Sequence, residues 1–269
     1  MTSRHKGQWD FSRAVYKDYD PFCEPNLISI LFLSHKKPEL TKVCLDSTYL
    51  AAQNYDGDIE WIFVEQGNDD RNSALFSSFP APRKVVIRQA NYGINNGLNQ
   101  MWAISRGEFG FIHEADWWND LPDFDFLGTA RKIMQQKTDV GIVQCRAICD
   151  PNENWGWNKP EYLPWSCPEE AGIAGFRIFE EELEDGHKFM LTEFPNGFNN
   201  NPNLMRKSLY RECGPYPEPP MDADPRHGET EYQRRVEKTG CAIAHIGKEV
   251  YYHTGGAARP KFERMYHGN

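Results

Sequence analysis

The sequence predicts a doubly wound α/β fold, and two observations lead there. Apolar runs of strand length alternate with segments of helical periodicity over residues 27–145. The early runs also end in polar residues, where an open α/β sheet gathers its ligands.

The first run, Leu27-Ile28-Ser29-Ile30-Leu31-Phe32-Leu33, is almost uninterrupted and reads as a strand buried on both faces. Pro38 suits the first turn of a helix, and Leu40, Val43, Cys44, Ser47, Leu50 and Ala51 recur behind it at helical spacing. Strands are expected at Ile59 to Val64 and Val85 to Arg88. A helical stripe runs through Ile94, Gly97, Leu98, Met101, Trp102 and Ser105, with Gly107 as its expected C-terminal cap. Phe109 to Ile112 is the fourth strand, Phe124 to Gln136 a helix and Val140 to Cys145 the fifth strand. Beyond Asp150 the pattern loosens. A strand is expected at Ile173 to Phe179, a helix or strand at Leu204 to Tyr210 and a helix at Glu229 to Lys238. Edge strands are expected at Cys241 to Ile246 and Glu249 to His253. No repeat and no linker divides the chain. It reads as an extension (1–26), one domain (27–256) and a tail (257–269).

Composition narrows the function classes. The chain has 269 residues, 39% of them hydrophobic and 26% charged, which suits a globular domain. A net charge of −9 with no long basic cluster argues against nucleic acid as a partner. Seven Cys in no disulfide framework suit a reducing compartment. No run approaches a transmembrane length, and the polar start shows no signal-peptide core, so a cytoplasmic protein is expected.

The polar strand ends supply the candidate site: Ser34-His35-Lys36, then Glu65-Gln66-Gly67-Asn68, Asn91-Tyr92-Gly93, and His113-Glu114-Ala115-Asp116. Glu114 and Asp116, two apart on an extended segment, point to one side and can share a hard cation such as Mg2+ or Mn2+. Spacing alone leaves an acidic loop before Trp117-Trp118 as the alternative. A zinc-protease helix fails, because Trp117 stands where its second His belongs.

Taken in order, these segments resemble the inverting family 2 glycosyltransferases of the GT-A fold. The first strand and helix start are similar to Ser29 through Leu40, and the acidic turn after the second strand to Glu65-Gln66-Gly67-Asn68. The family's Asn-x-Gly with a later Asn matches Asn91, Gly93 and Asn99, and its Asp-x-Asp strand end resembles Glu114-Ala115-Asp116. Later, Glu229 falls on the catalytic acid if Arg235 and Gly240 hold the family's Arg and Gly, and Tyr251-Tyr252-His253 resembles an aromatic-aromatic-His segment. The resemblance implies a GT-A-like fold with a nucleotide-sugar-binding half (27–120) and an acceptor-binding half (121–256). It implies transfer of a sugar from a nucleotide-diphosphate donor to a carbohydrate or other hydroxyl acceptor, with inversion, assisted by Mn2+ or Mg2+. In that scheme Glu229 is the base. Ser34, Glu65, Gln66, Asn91, Gly93, Asn99 and Glu114 contact the donor, with Glu65 reading the nucleoside. Asp116, Glu114 and His253 hold the metal, and Trp155, Trp157, Trp165 and Asn201 contact the acceptor. Glu65 and Gln66 replace the family's Asp pair and Glu114 its first Asp. A catalytically inactive carbohydrate- or nucleotide-binding relative is therefore the rival reading. A nucleotidyltransferase falls behind, because Ser34-His35-Lys36-Lys37-Pro38 lacks a Gly-rich loop.

Overall fold

In a computed structural model of the chain, the structure describes residues 23–146, 178–192, 202–218, 226–248 and 250–254. The strands are β1 (Glu24–Ser34), β2 (Ile59–Glu65), β3 (Lys84–Arg88), β4 (Gly107–Glu114), β5 (Trp117–Asn119), β6 (Val140–Gln144), β7 (Ile178–Glu182), β8 (Lys188–Thr192), β9 (Asn203–Arg206), β10 (Ala242–His245) and β11 (Tyr251–His253). The helices are α1 (Pro38–Ala52), α2 (Asp70–Ser78), α3 (Ile94–Ile104), α4 (Phe126–Gln136), α5 (Lys207–Cys213) and α6 (Arg226–Thr239).

Among the described residues nine strands form one sheet in the order β3-β2-β1-β4-β9-β6-β10-β8-β7, and β5 pairs with β11 in a small second sheet. Strands β1, β2, β3 and β4 are mutually parallel, and β6 is parallel to β10. β9 runs antiparallel to both β4 and β6, so those two share one direction. Only β8 and β9 oppose the rest of the described sheet. The sheet is thus mainly parallel, as the alternation predicted.

β1 shows why its run is apolar throughout. Ile28, Ile30 and Phe32 face one layer with Leu45 of α1, Phe76 of α2 and Phe126, Ala130 and Ile133 of α4. Leu31 and Leu33 face the other, with Leu98, Met101 and Trp102 of α3, Leu209 of α5 and Tyr232 and Val236 of α6. Each layer buries side chains of alternating strand residues, as the pleat requires. Among the described residues no helix is long and apolar enough to cross a membrane.

Several expectations need correction. Gly107 is no helix cap, since α3 ends against Ser105; Gly107 opens β4, where an added Cβ would stand 2.6 Å from the Ser29 hydroxyl and 2.7 Å from the Leu27 carbonyl. Residues 204–210 split into strand β9 and helix α5. β10 is no edge strand, because β6 and β8 flank it. Only the last two residues of the expected strand at 173–179 are described, and they begin β7.

Candidate active site

The strand order reverses at β1. The path β1-α1-β2-α2-β3 moves outward on one side, and α3 then carries the chain back to β4 on the other. The carboxyl ends of β1 and β4 therefore open a crevice at the switch point, where α/β sheets bind ligands. A cavity of about 390 Å³ lies there, lined among others by Ser34, Lys36, Gln66, Gly93, Glu114 and Asp116. Asn91, His35, Lys37 and Ile94 also line it; the sequence placed Asn91 and His35 among the strand ends of the candidate site, but not Lys37 or Ile94.

Each wall has a local cause. Ser34 ends β1, and its buried hydroxyl has no hydrogen-bond partner beside the cavity. After it the backbone turns sharply, with Lys36 and Lys37 both left-handed at φ 57° and 51°. Strain of this kind in non-glycine residues persists only where neighbours over-determine it. Here Asn72 of α2 donates to the Lys36 carbonyl at 2.8 Å, and the Thr41 amide donates to the Lys37 carbonyl at 2.9 Å. Lys36 and Lys37 are both exposed and both line the cavity.

Glu114 is the last residue of β4, and Asp116 follows in a tight turn that leads into β5. The expected extended segment is thus a turn, yet both carboxylates line the same cavity. Burial pushes the Glu114 carboxyl well up, and the nearby charges of Asp116 and Glu229 push it further. Burial opposes ionisation of Asp116 too, but the hydrogen bond and charge of His253 outweigh it and hold this carboxyl below its usual range.

His253 arrives through the β5–β11 ribbon, which pairs it with Trp117. Its Nε2 lies 3.3 Å from Asp116 Oδ2, while Asp116 Oδ1 is buried without a partner. Among the described residues, no group of three or more His, Cys, Asp or Glu converges tightly enough to hold a metal by itself. The expected trio of Glu114, Asp116 and His253 is therefore no closed protein cage. The orphaned Asp116 oxygen, with Glu114 beside it, does suit a hard cation whose remaining ligands come from a bound anion or water.

Glu229 sits in the first turn of α6, close enough to Glu114 for its charge to act there. Two expected donor contacts stand elsewhere. Glu65 is fully buried, and its carboxylate accepts from the Asp69 amide at 2.9 Å and faces the Lys36 amide at 3.5 Å. It braces two loops and is absent from the cavity wall. Asn99 turns its amide away from the cavity, to the backbone of Tyr216 and the side chain of Glu218. Gln66 stays on the wall and donates to the Gly93 carbonyl at 2.7 Å. Trp155, Trp157, Trp165 and Asn201 lie outside the described residues. His113, the false start of a protease motif, is buried against Phe32 and bonded to Thr48 at 2.8 Å; burial lowers its pKa to about 3.

No family model matches the chain, and no curated protein matches it in sequence. Solved structures do. A mannosyltransferase, PcManGT from Pyrobaculum calidifontis, in complex with GDP-Man and Mn2+, is 15% identical with a TM-score of 0.58, over 92% of this chain and 62% of that one. TarS 1–349 from S. aureus is 15% identical with a TM-score of 0.55, over 89% of this chain and 64% of that one. The same fragment with UDP-GlcNAc is 14% identical with a TM-score of 0.56, over 84% and 57%. This chain thus spans less than two thirds of the length of each. The likeness gives the fold, a helix-flanked, mainly parallel sheet shared with glycosyltransferases solved with nucleotide sugars.

Proposed function

We propose that this chain is a glycosyltransferase that moves a sugar from a nucleoside-diphosphate donor to a hydroxyl acceptor, with inversion at the anomeric carbon. The observation that carries the reading is convergence. Glu114 of β4 and Asp116 of the turn after it line one cavity at the switch point, the charge of Glu229 from α6 acts on Glu114, and His253 from β11 bonds Asp116. The shared fold supports it, since two of the neighbours hold GDP-Man or UDP-GlcNAc.

In this reading Glu229 takes the proton of the acceptor hydroxyl as its oxygen attacks the anomeric carbon. The bond from that carbon to the diphosphate breaks on the opposite face, and the nucleoside diphosphate leaves. Lys36 and Lys37 offer point charges to phosphate, and Ser34 offers an uncommitted hydroxyl. Asp116, with Glu114, would hold a Mn2+ or Mg2+ ion that offsets charge on the leaving diphosphate. His253, through its hydrogen bond and charge, keeps Asp116 ionised.

The test is a thermal-shift titration with UDP, GDP, CDP and dTDP, each with and without Mn2+. One diphosphate at a hundredfold its Kd, with metal, should add about 2.7 kcal/mol, a rise of roughly 5–10 °C for a domain of this size. Asp116→Ala should remove the metal-dependent part. No shift with any of the four at millimolar concentration would sink the reading.

A further inference from the structure

The segment Gly214 to Glu218 is gripped from both sides by helices that the site uses. From α3, Asn95 donates to the Pro217 carbonyl at 2.6 Å. Asn99 donates to the Tyr216 carbonyl at 2.9 Å and accepts from the Tyr216 amide at 2.7 Å. Asn99 and Asn96 also hold the two oxygens of Glu218, at 2.9 and 3.1 Å. From α6, Arg235 donates to the Pro215 carbonyl at 2.9 Å, and Tyr232 stacks on Tyr216 with ring centres 3.8 Å apart. α6 comes up against α3 at Gly228. A Cβ there would overlap the Asn95 amide and stand 2.8 Å from the Pro217 carbonyl, the backbone atom that Asn95 fixes. The next residue is Glu229.

We propose that residues 214–218 form a spacer that sets where Glu229 stands relative to Glu114, with Asn95, Asn99 and Gly228 as positioning residues. The inference rests on the transferase reading above and gives α3 a second task. Its amphipathic turns pack on the sheet, while its asparagines hold residues 216–218 and so locate the base. A misplacement of about 1 Å at a reacting group can cost about a hundredfold in rate, so a methyl at position 228 is enough to register.

The experiment compares the full chain with Gly228→Ala and Glu218→Ala, the latter removing only an exposed grip. Release of nucleoside diphosphate from GDP-Man and UDP-GlcNAc gives kcat and donor KM, GDP and UDP with Mn2+ give Kd, and hydrogen exchange reports the amides of residues 214–218 and 226–232. The spacer predicts kcat lower by about a hundredfold in Gly228→Ala and by roughly five- to tenfold in Glu218→Ala, with KM and Kd within about twofold. It also predicts faster exchange confined to residues 214–218 and the first turns of α6. If Gly228→Ala does not fold, Glu218→Ala decides. If neither sugar is turned over, exchange decides. Unchanged kcat in the folded variants, Kd weakening in step with kcat, or unchanged exchange overturns the spacer. Glu229→Gln separates the two ideas: full turnover there removes the base itself, whereas loss there with unimpaired spacer variants removes only the spacer.

Discussion

Glu65 ends β2 with a carboxylate that never reaches the cavity, because two loop amides claim it first. Its extra methylene over Asp lets the group fold back beneath the turn at Lys36. Removing it strands the Asp69 amide in a part-buried place, and an unmet donor of this kind costs about 1–3 kcal/mol. Glu65→Ala should therefore lower the urea midpoint at an unchanged m-value and leave nucleotide selectivity as it was. A change of selectivity without loss of stability would mean that the carboxylate reads the nucleoside after all. Residue types and spacing pointed to the acids of the site, and Glu114 and Asp116 do line the cavity. Spacing could not say that Glu65 and Asn99 are already engaged, since their partners come from loops whose paths depend on tertiary packing.

Among the elements, α2 left no trace in the sequence reading. Its segment Asp70 to Ser78 buries only Asn72 and Phe76, so no apolar stripe forms. Its start is legible in hindsight: Asp69 accepts from the amides of Arg71 and Asn72, at 2.9 and 3.2 Å, as an N-cap. Asp69→Ala should cost about 1 kcal/mol, read by urea unfolding. By contrast β1, β2, β4, α1 and α3 were plain, because each carries its burial pattern within a dozen or so residues. The β5–β11 ribbon was half legible: a strand was expected at Glu249 to His253, but not its partner β5. It brings His253 to Asp116 across 137 positions, and β5, three residues long, has no periodicity to betray it. His253→Ala should weaken the Mn2+-dependent stabilisation by nucleotide about tenfold, as loss of a metal's supporting partner does, in a Mn2+ titration at fixed nucleotide.

At the scale of the whole molecule, acid should loosen the fold through His245. Its ring is buried in β10, Nε2 donates to the Arg146 carbonyl at 2.6 Å, and Nδ1 accepts from the Gly247 amide at 3.0 Å. Protonating Nδ1 would set donor against donor, and burial lowers the pKa to about 3. A histidine pKa depressed in the folded state gives stability that is whole above about pH 6.5 and lost as pH falls toward 3. In that window only the unfolded chain takes up the proton, at about 1.4 kcal/mol per pH unit. The urea-derived stability difference between wild type and His245→Gln should narrow from pH 7.5 to pH 5; a constant difference would refute the assignment.

The position of β9 has a consequence for how the chain reaches this fold. As synthesis proceeds, β4 and β6 are both complete by residue 144, yet the strand that joins them begins at Asn203. Until it emerges, two interior ladders face outward as bare edges, and such edges invite pairing with other chains. At about 5–20 residues per second the ribosome holds the nascent protein in that open condition for several seconds. The central seam thus closes only after both strands that flank it are made, and the interval before it closes is one in which the newborn chain needs a chaperone's company.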